Sequence, residues 1–185
     1  MSKFPHRKSP YLLKESKKAF EAANKSFMVD QLDLRGQDIE YAYLKKEGGV
    51  CIVALNDANE VIMVGQWRYP LNKYSWEFPA GGQEPGEDIF ETAKRELMEE
   101  AGVQAETWVH LGSMNPNSSN CSMESHAYLA KNLTIGEASP DEDETLELMW
   151  LPWEDAVQAA IDGEITEALA IFAIFKAQAH LQSLE

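Results

Sequence analysis

Apolar and polar positions follow two periods along this chain, and each change of period marks an element. Residues 27–34 and 39–45 are strand-like runs flanking Arg35, Gly36, Gln37 and Asp38, the signature of a β-hairpin. The polar stretch before them is expected to be helical or irregular. Gly48 and Gly49 break the chain before two apolar strand candidates, 50–55 and 61–66, joined by a turn containing Asn56, Asp57, Ala58 and Asn59. Residues 77–80 are extended, because Pro79 disfavours the helical region for Phe78. The period then turns helical over 88–101. Ile89, Ala93 and Leu97 recur on one face, acids crowd the first turn, and Gly102 stands where a C-cap belongs. Strand patterns return at 107–112, 125–130 and 146–151. Pro152 fits the first turn of a short helix reaching about residue 161, and 165–181 reads as a longer amphipathic one.

Strands, one central helix, more strands and terminal helices make a mixed α/β pattern. The strands follow one another too closely for repeated parallel crossovers, which excludes a doubly wound nucleotide fold. Residues 1–47 read as an N-terminal extension built on the hairpin, and 48–185 as the main domain. With 44% hydrophobic and 25% charged residues the composition is that of a globular chain. The charge balance changes the picture: 16 Lys and Arg against 31 Asp and Glu give a formal net charge of −15. Such a surface repels phosphate backbones, so nucleic acid is not an expected partner, and a small polyanionic substrate would need local cations. The apolar run 168–175 is too short to span a membrane, the basic start lacks the apolar stretch of a secretion signal, and two cysteines cannot build a disulfide framework. A reducing cytoplasm is the expected compartment.

The chemistry concentrates in GGQEPGEDIFETAKRELMEEAGV, residues 81–103. Glu96 and Glu100, four apart, lie one above the other on a helix face, with Glu99 beside them. Like charges this close cost a few tenths of a kcal/mol per pair on a bare helix. Arg95, four residues from both Glu91 and Glu99, offsets part of that. A divalent cation offsets more, and an all-oxygen donor set without imidazole suits Mg²⁺ or Mn²⁺ rather than zinc. Taken alone, E-x-x-E-E is more often a solvated acidic face.

The full array shifts that balance. Gly81, Glu87, Arg95-Glu96-Leu97, Glu99-Glu100 and Gly102-Val103, at these spacings, resemble the Nudix box at every defined position. The resemblance implies a Nudix α/β/α sandwich with a mixed sheet, here with the N-terminal hairpin added. It makes Glu96 and Glu100 the principal Mg²⁺ ligands, with Glu99 supporting or sharing a metal and the backbone carbonyl of Ala80 in reach through the turn at Gly81. Arg95 would orient the glutamates and Glu87 would hold the loop and assist.

VIMVGQWRYP (61–70), WEFPAGG (76–82) and ETLELMWLPWEDA (144–156) are similar to the ADP-ribose pyrophosphatase and nucleoside diphosphate sugar branch of that family. By that likeness Arg68 contacts the substrate's phosphates or distal sugar, Glu77 contacts substrate across a homodimer, and Glu144, ahead of Glu142, is the general base from a late loop. Phe27 and Tyr41 fall where base-stacking aromatics would lie and Lys46 where a cation would; core or interface packing is an equal reading for either aromatic. Ser118 stands where strict ADP-ribose enzymes carry proline, and Pro116 is two residues early, so GDP-mannose and other nucleotide sugars stay open beside ADP-ribose. Two rivals remain: a non-catalytic nucleotide-sensing domain, which typically lacks box glutamates that are all present here, and an isopentenyl diphosphate isomerase type, for which Cys121 has only His126 nearby.

Overall fold

The computed structural model describes residues 3–5, 7–22, 25–139 and 145–184, and the chain divides into two compact units: Met1–Lys46 with Asn117–Met123, and Glu47–Pro116 with Glu124–Glu185.

The first unit is an antiparallel sheet of β1 (Tyr11–Ala22), β2 (Lys25–Leu34) and β3 (Gln37–Lys45) in the order β1-β2-β3. The expected hairpin is β2–β3, closed by Arg35 and Gly36 at φ 57° and 86° with Leu34 opposite Gln37. Two positive φ values in a two-residue loop match the strand twist that hairpins favour. The expectation of a helical or irregular start is corrected, since residues 11–22 form a strand. β1 is exposed at every position and carries no apolar alternation, so its pairing with β2 makes it a strand. Polar contacts replace the missing core: Ser16 Oγ donates to Asp30 (2.6 Å) and Lys14 pairs with Asp38. Residues 117–123 lie along β3, with Leu44 N–H on the Asn120 carbonyl and Ser122 N–H on the Leu44 carbonyl.

Among its described residues the second unit holds two sheets and three α-helices. One sheet orders β10 (Glu147–Pro152), β5 (Glu60–Arg68) and β6 (Lys73–Glu77), all antiparallel. The other orders β7 (Ala80–Gly82), β4 (Gly49–Ala54), β9 (Ser125–Ile135) and β8 (Val103–Met114), with β4–β9 parallel and the outer pairs antiparallel. The two apolar runs around Asn56–Asn59 therefore enter different sheets. β4 explains why its sequence is apolar without alternation, because both of its faces are buried. Cys51, Val53 and Leu55 join Ala127, Leu129 and the helices α2 (Trp153–Asp162) and α3 (Ala168–Gln182) in one core. Val50, Ile52 and Ala54 join Tyr128, Ala130 and α1 (Ile89–Ala101) in the other. Helices thus cover both faces of a mixed sheet, the α/β/α sandwich expected.

Candidate active site

The site is built on α1. Asp88 caps it, its Oδ1 accepting from the N–H groups of Phe90 (2.9 Å) and Glu91 (3.4 Å), and Gly102 ends it in the left-handed region at φ 65°. The helix buries Thr92, Ala93, Glu96, Leu97, Glu100 and Ala101, so two carboxylates share the face that the apolar residues use to dock. Glu96 is 9% exposed and Glu100 3%. Burying carboxylates without strong partners is costly, and each has a defined surrounding. Ala80 N–H donates to Glu100 Oε2 at 2.8 Å, which binds the loop after β6 to the helix. Glu96 lies against Gly81 so closely that a Cβ there would sit 2.0 Å from its Cδ and 2.1 Å from its Oε1. A side chain at Gly81 would displace the Glu96 carboxylate.

Arg95 organises the acids. Its Nε and Nη2 donate to the two oxygens of Glu87 (2.9 and 3.0 Å), its Nη1 to Glu96 Oε1 and Glu99 Oε2 (both 2.9 Å), and its Nη2 also to the Gly82 carbonyl (3.0 Å). Glu87 Oε2 accepts further from Thr92 Oγ1 (2.8 Å) and Glu84 N–H (3.1 Å). Led by Arg95, these donors hold the Glu87 carboxyl at about 2, and the same contacts raise the guanidinium above its ordinary range. So well satisfied a carboxylate is a poor base and a poor metal ligand. Glu91 is taken by Lys94 (2.7 Å) rather than by Arg95.

A cleft of about 240 Å³ opens beside these groups, lined by Ala80, Gly81, Glu96 and Glu99 among others. Among the described residues no three metal-ligating side chains already converge on one point. The donor chemistry nonetheless fits a hard divalent cation, since the wall is carboxylate and backbone oxygen; Gly81 sits in the strand β7 rather than in the expected tight turn, and its bare backbone lets Glu96 lie flush against it.

Arg68 and Glu77 lie on the same face of the β5–β6 pair, and the structure joins them to each other. Arg68 Nε and Nη2 donate to Glu77 Oε1 and Oε2 at 3.0 and 2.5 Å. Glu77 is buried, and its hydrogen bonds raise Arg68 while Glu100 and Glu167 add to the negative field around it. No sequence signal nine residues apart announced this pair. Phe27, Tyr41 and Lys46 belong to the first unit. The β2–β3 register sets Phe27 opposite Leu44 and Tyr41 opposite Asp30, so the two aromatics point to opposite faces of their sheet. A base held on one face meets one of them, not both. Tyr41 Oη donates to the Ser119 carbonyl at 2.7 Å, and Lys46 N–H to Ser122 Oγ at 3.3 Å. Glu144 and Glu142 lie outside the described residues. The chain just before them is anchored, with Ser139 N–H on the Glu99 carbonyl at 2.9 Å.

The family model of the NUDIX domain matches residues 45–170. The methanol dehydrogenase activator of Bacillus methanolicus is 35% identical over 149 residues, 79% of this chain and 80% of that protein. An ADP-ribose pyrophosphatase of Bacillus subtilis (strain 168) is 32% identical over 163 residues, 83% of this chain and 88% of that one. A crystal structure of an ADP compounds hydrolase matches with a TM-score of 0.85 at 21% identity, covering 97% of this chain and 98% of the other, which shows the shared fold. A complete glutamate array on the helix that the sandwich buries, and a family match over more than half its length, place this chain in the NUDIX domain family.

Proposed function

We propose that this chain hydrolyses the diphosphate linkage of nucleoside diphosphate sugars with Mg²⁺, ADP-ribose favoured, yielding AMP and ribose 5-phosphate. One observation carries the reading: two carboxylates, Glu96 and Glu100, are buried on the docking face of α1, and Gly81 is emptied of a side chain to seat one of them. A fold retains such an arrangement at a cost to stability when the acids serve a cation. The ADP-ribose pyrophosphatase of Bacillus subtilis supports the substrate class.

Glu96 and Glu100 would hold the ion, with Glu99 and the Ala80 carbonyl completing the oxygen set. Bound there, a divalent cation neutralises diphosphate charge and lowers the pKa of the attacking water. Arg95 fixes Glu96 and Glu99 in place, and Glu87 fixes Arg95. Both are positioning residues. Arg68, its plane clamped by Glu77, presents a guanidinium edge to a phosphate, and a rigid fork loses little entropy on binding. Glu144 takes the proton from the attacking water, on a segment whose start is tethered to the carbonyl of Glu99. Phe27 or Tyr41 would stack on the base, with Lys46 as a nearby cation.

The working form is proposed to be a homodimer joined through the first unit. β1 is an exposed edge strand, a ready template for a second chain. The first unit carries ten Lys and Arg against six Asp and Glu, whereas the second carries six against 25, so contact through the first units meets less like-charge repulsion than contact through the second. No helix among the described residues is long and apolar enough to cross a membrane, and both cysteines are free, which supports a cytoplasmic setting.

A second reading keeps the mechanism and changes the sugar, because Ser118 replaces the proline of strict ADP-ribose enzymes. Phosphate release after phosphatase treatment, across ADP-ribose, GDP-mannose and other nucleotide sugars with and without Mg²⁺, separates the readings. Turnover of ADP-ribose above the rest is expected. No turnover of any of them would overturn the proposal.

A further inference from the structure

A second cluster of metal-competent side chains lies away from the box glutamates, on the β8–β9 ladder. β8 carries one extra residue between His110 and Gly112, so that His110 faces Tyr128 while Gly112 already faces Ala127 and Ser113 faces His126. His126 lies two residues from Tyr128 on β9, so its side chain shares a sheet face with Tyr128 and lies diagonal to His110. The imidazole nitrogens His110 Nε2 and His126 Nδ1 then meet at 3.1 Å, with ring centroids 5.3 Å apart and planes tilted by 32°. The Tyr128 ring lies tilted against His110 with centroids 5.1 Å apart, which limits the imidazole's freedom. Glu124 stands next to the pair in charge and is held by Ser113 Oγ.

We propose that His110 Nε2 and His126 Nδ1 form a two-imidazole chelate for a divalent transition metal of the Cu²⁺, Ni²⁺ or Zn²⁺ class, separate from the Mg²⁺ site. The geometry is close to what such an ion requires. At a metal–nitrogen distance of about 2.0–2.1 Å, two imidazoles on a tetrahedral ion stand about 3.3 Å apart. The pair must open by a few tenths of an ångström and both rings must turn, because the two nitrogens point at each other rather than at a common ion. Without metal, the two nitrogens share one hydrogen. When metal enters, that hydrogen moves to the outer nitrogen of the ring that carried it, and both facing nitrogens present lone pairs. Imidazole selects this class of ion, whereas the all-oxygen box selects Mg²⁺, so the two sites differ in donor chemistry. Only two protein ligands converge, since no third His, Cys, Asp or Glu joins them among the described residues, and water completes the shell. The ion would staple the edge strand β8 to β9. Lys176 lies nearby, and a Cβ on Gly112 would be 3.4 Å from its Cε, so its charge weakens the site.

The test uses the full chain, stripped with EDTA and desalted, with one equivalent of Cu²⁺ followed by electron paramagnetic resonance and pulsed nitrogen-coupling spectra. Two equivalent imidazole nitrogens are expected. His110→Gln and His126→Gln should each remove one nitrogen and weaken Zn²⁺ binding by more than about 100-fold, beyond what is typical for loss of an outer-shell partner. Glu100→Gln, His6→Gln and His180→Gln should leave the signal unchanged. Circular dichroism establishes that each variant folds. A wild-type spectrum with fewer than two imidazole nitrogens, obtained without any mutation, overturns the proposal. So does a two-nitrogen signal that survives His110→Gln or disappears with His6→Gln or His180→Gln.

Discussion

Glu100 shows how one side chain serves both the fold and the proposed chemistry. It is buried, takes the N–H of Ala80, and stands one helical turn from Glu96. Glu100→Gln keeps the shape and loses the charge. Turnover in Mg²⁺ should fall by orders of magnitude while the melting temperature changes little, and EDTA should abolish wild-type activity until Mg²⁺ or Mn²⁺ is restored. Near-normal turnover by the folded variant would sink the metal assignment. Gly81→Ala acts on the same carboxylate by displacement, because the new methyl would sit 2.0 Å from Glu96 Cδ. Glu87 predicts a pH dependence. Arg95 holds its carboxyl at about 2, below the value of about 4.3 for an unperturbed glutamate, so the unfolded chain binds the proton more readily. Its stabilisation is complete above pH 4.3 and lost as pH falls towards 2. The urea midpoints of wild type and Glu87→Gln should differ at pH 7 and converge near pH 2. A constant gap across that range would refute the linkage.

At the scale of elements, α1 was readable and β1 was not. The helix carries its own signals: a capping aspartate, apolar residues at helical spacing and a C-cap glycine. Asp88→Ala should cost about 1 kcal/mol by removing acceptors for two backbone N–H groups, measured by chemical denaturation. β1 has no such local signature, and its strand state depends on β2 lying beside it. The segment entering β10 bears the proposed general base. Glu144→Gln should lower kcat by roughly 10²–10⁴-fold with little change in KM, while Glu142→Gln should be nearly silent. If Glu142→Gln or Glu99→Gln abolishes turnover and Glu144→Gln does not, the base has been assigned to the wrong carboxylate.

For the whole molecule, the division of charge between the two units is the property with the widest consequence. Two chains that each carry a net −15 repel overall, the proposed contact through the weakly cationic first units meets less of that repulsion, and salt screens it. Light scattering at micromolar concentration should report a dimer, and added salt should not slow reassociation after dilution. A monomer with full activity would exclude the proposed assembly.

The sequence by itself determined what is local or periodic. It specified the box helix and its C-cap, the buried strands β4 and β5, the β2–β3 turn, and a glutamate array whose spacing places Glu96 and Glu100 on one face. These follow from backbone geometry over a few residues, which any reader of the chain can apply. Only the tertiary structure decided which distant groups meet. The Arg68–Glu77 clamp needs the β5–β6 register, the seat of Glu96 on Gly81 needs β7 packed against α1, and the His110–His126 pair needs the β8–β9 register. The opposite facing of Phe27 and Tyr41 likewise follows from a register that neither strand carries alone. Such contacts depend on strand register and packing, and a one-residue slip reverses every side chain.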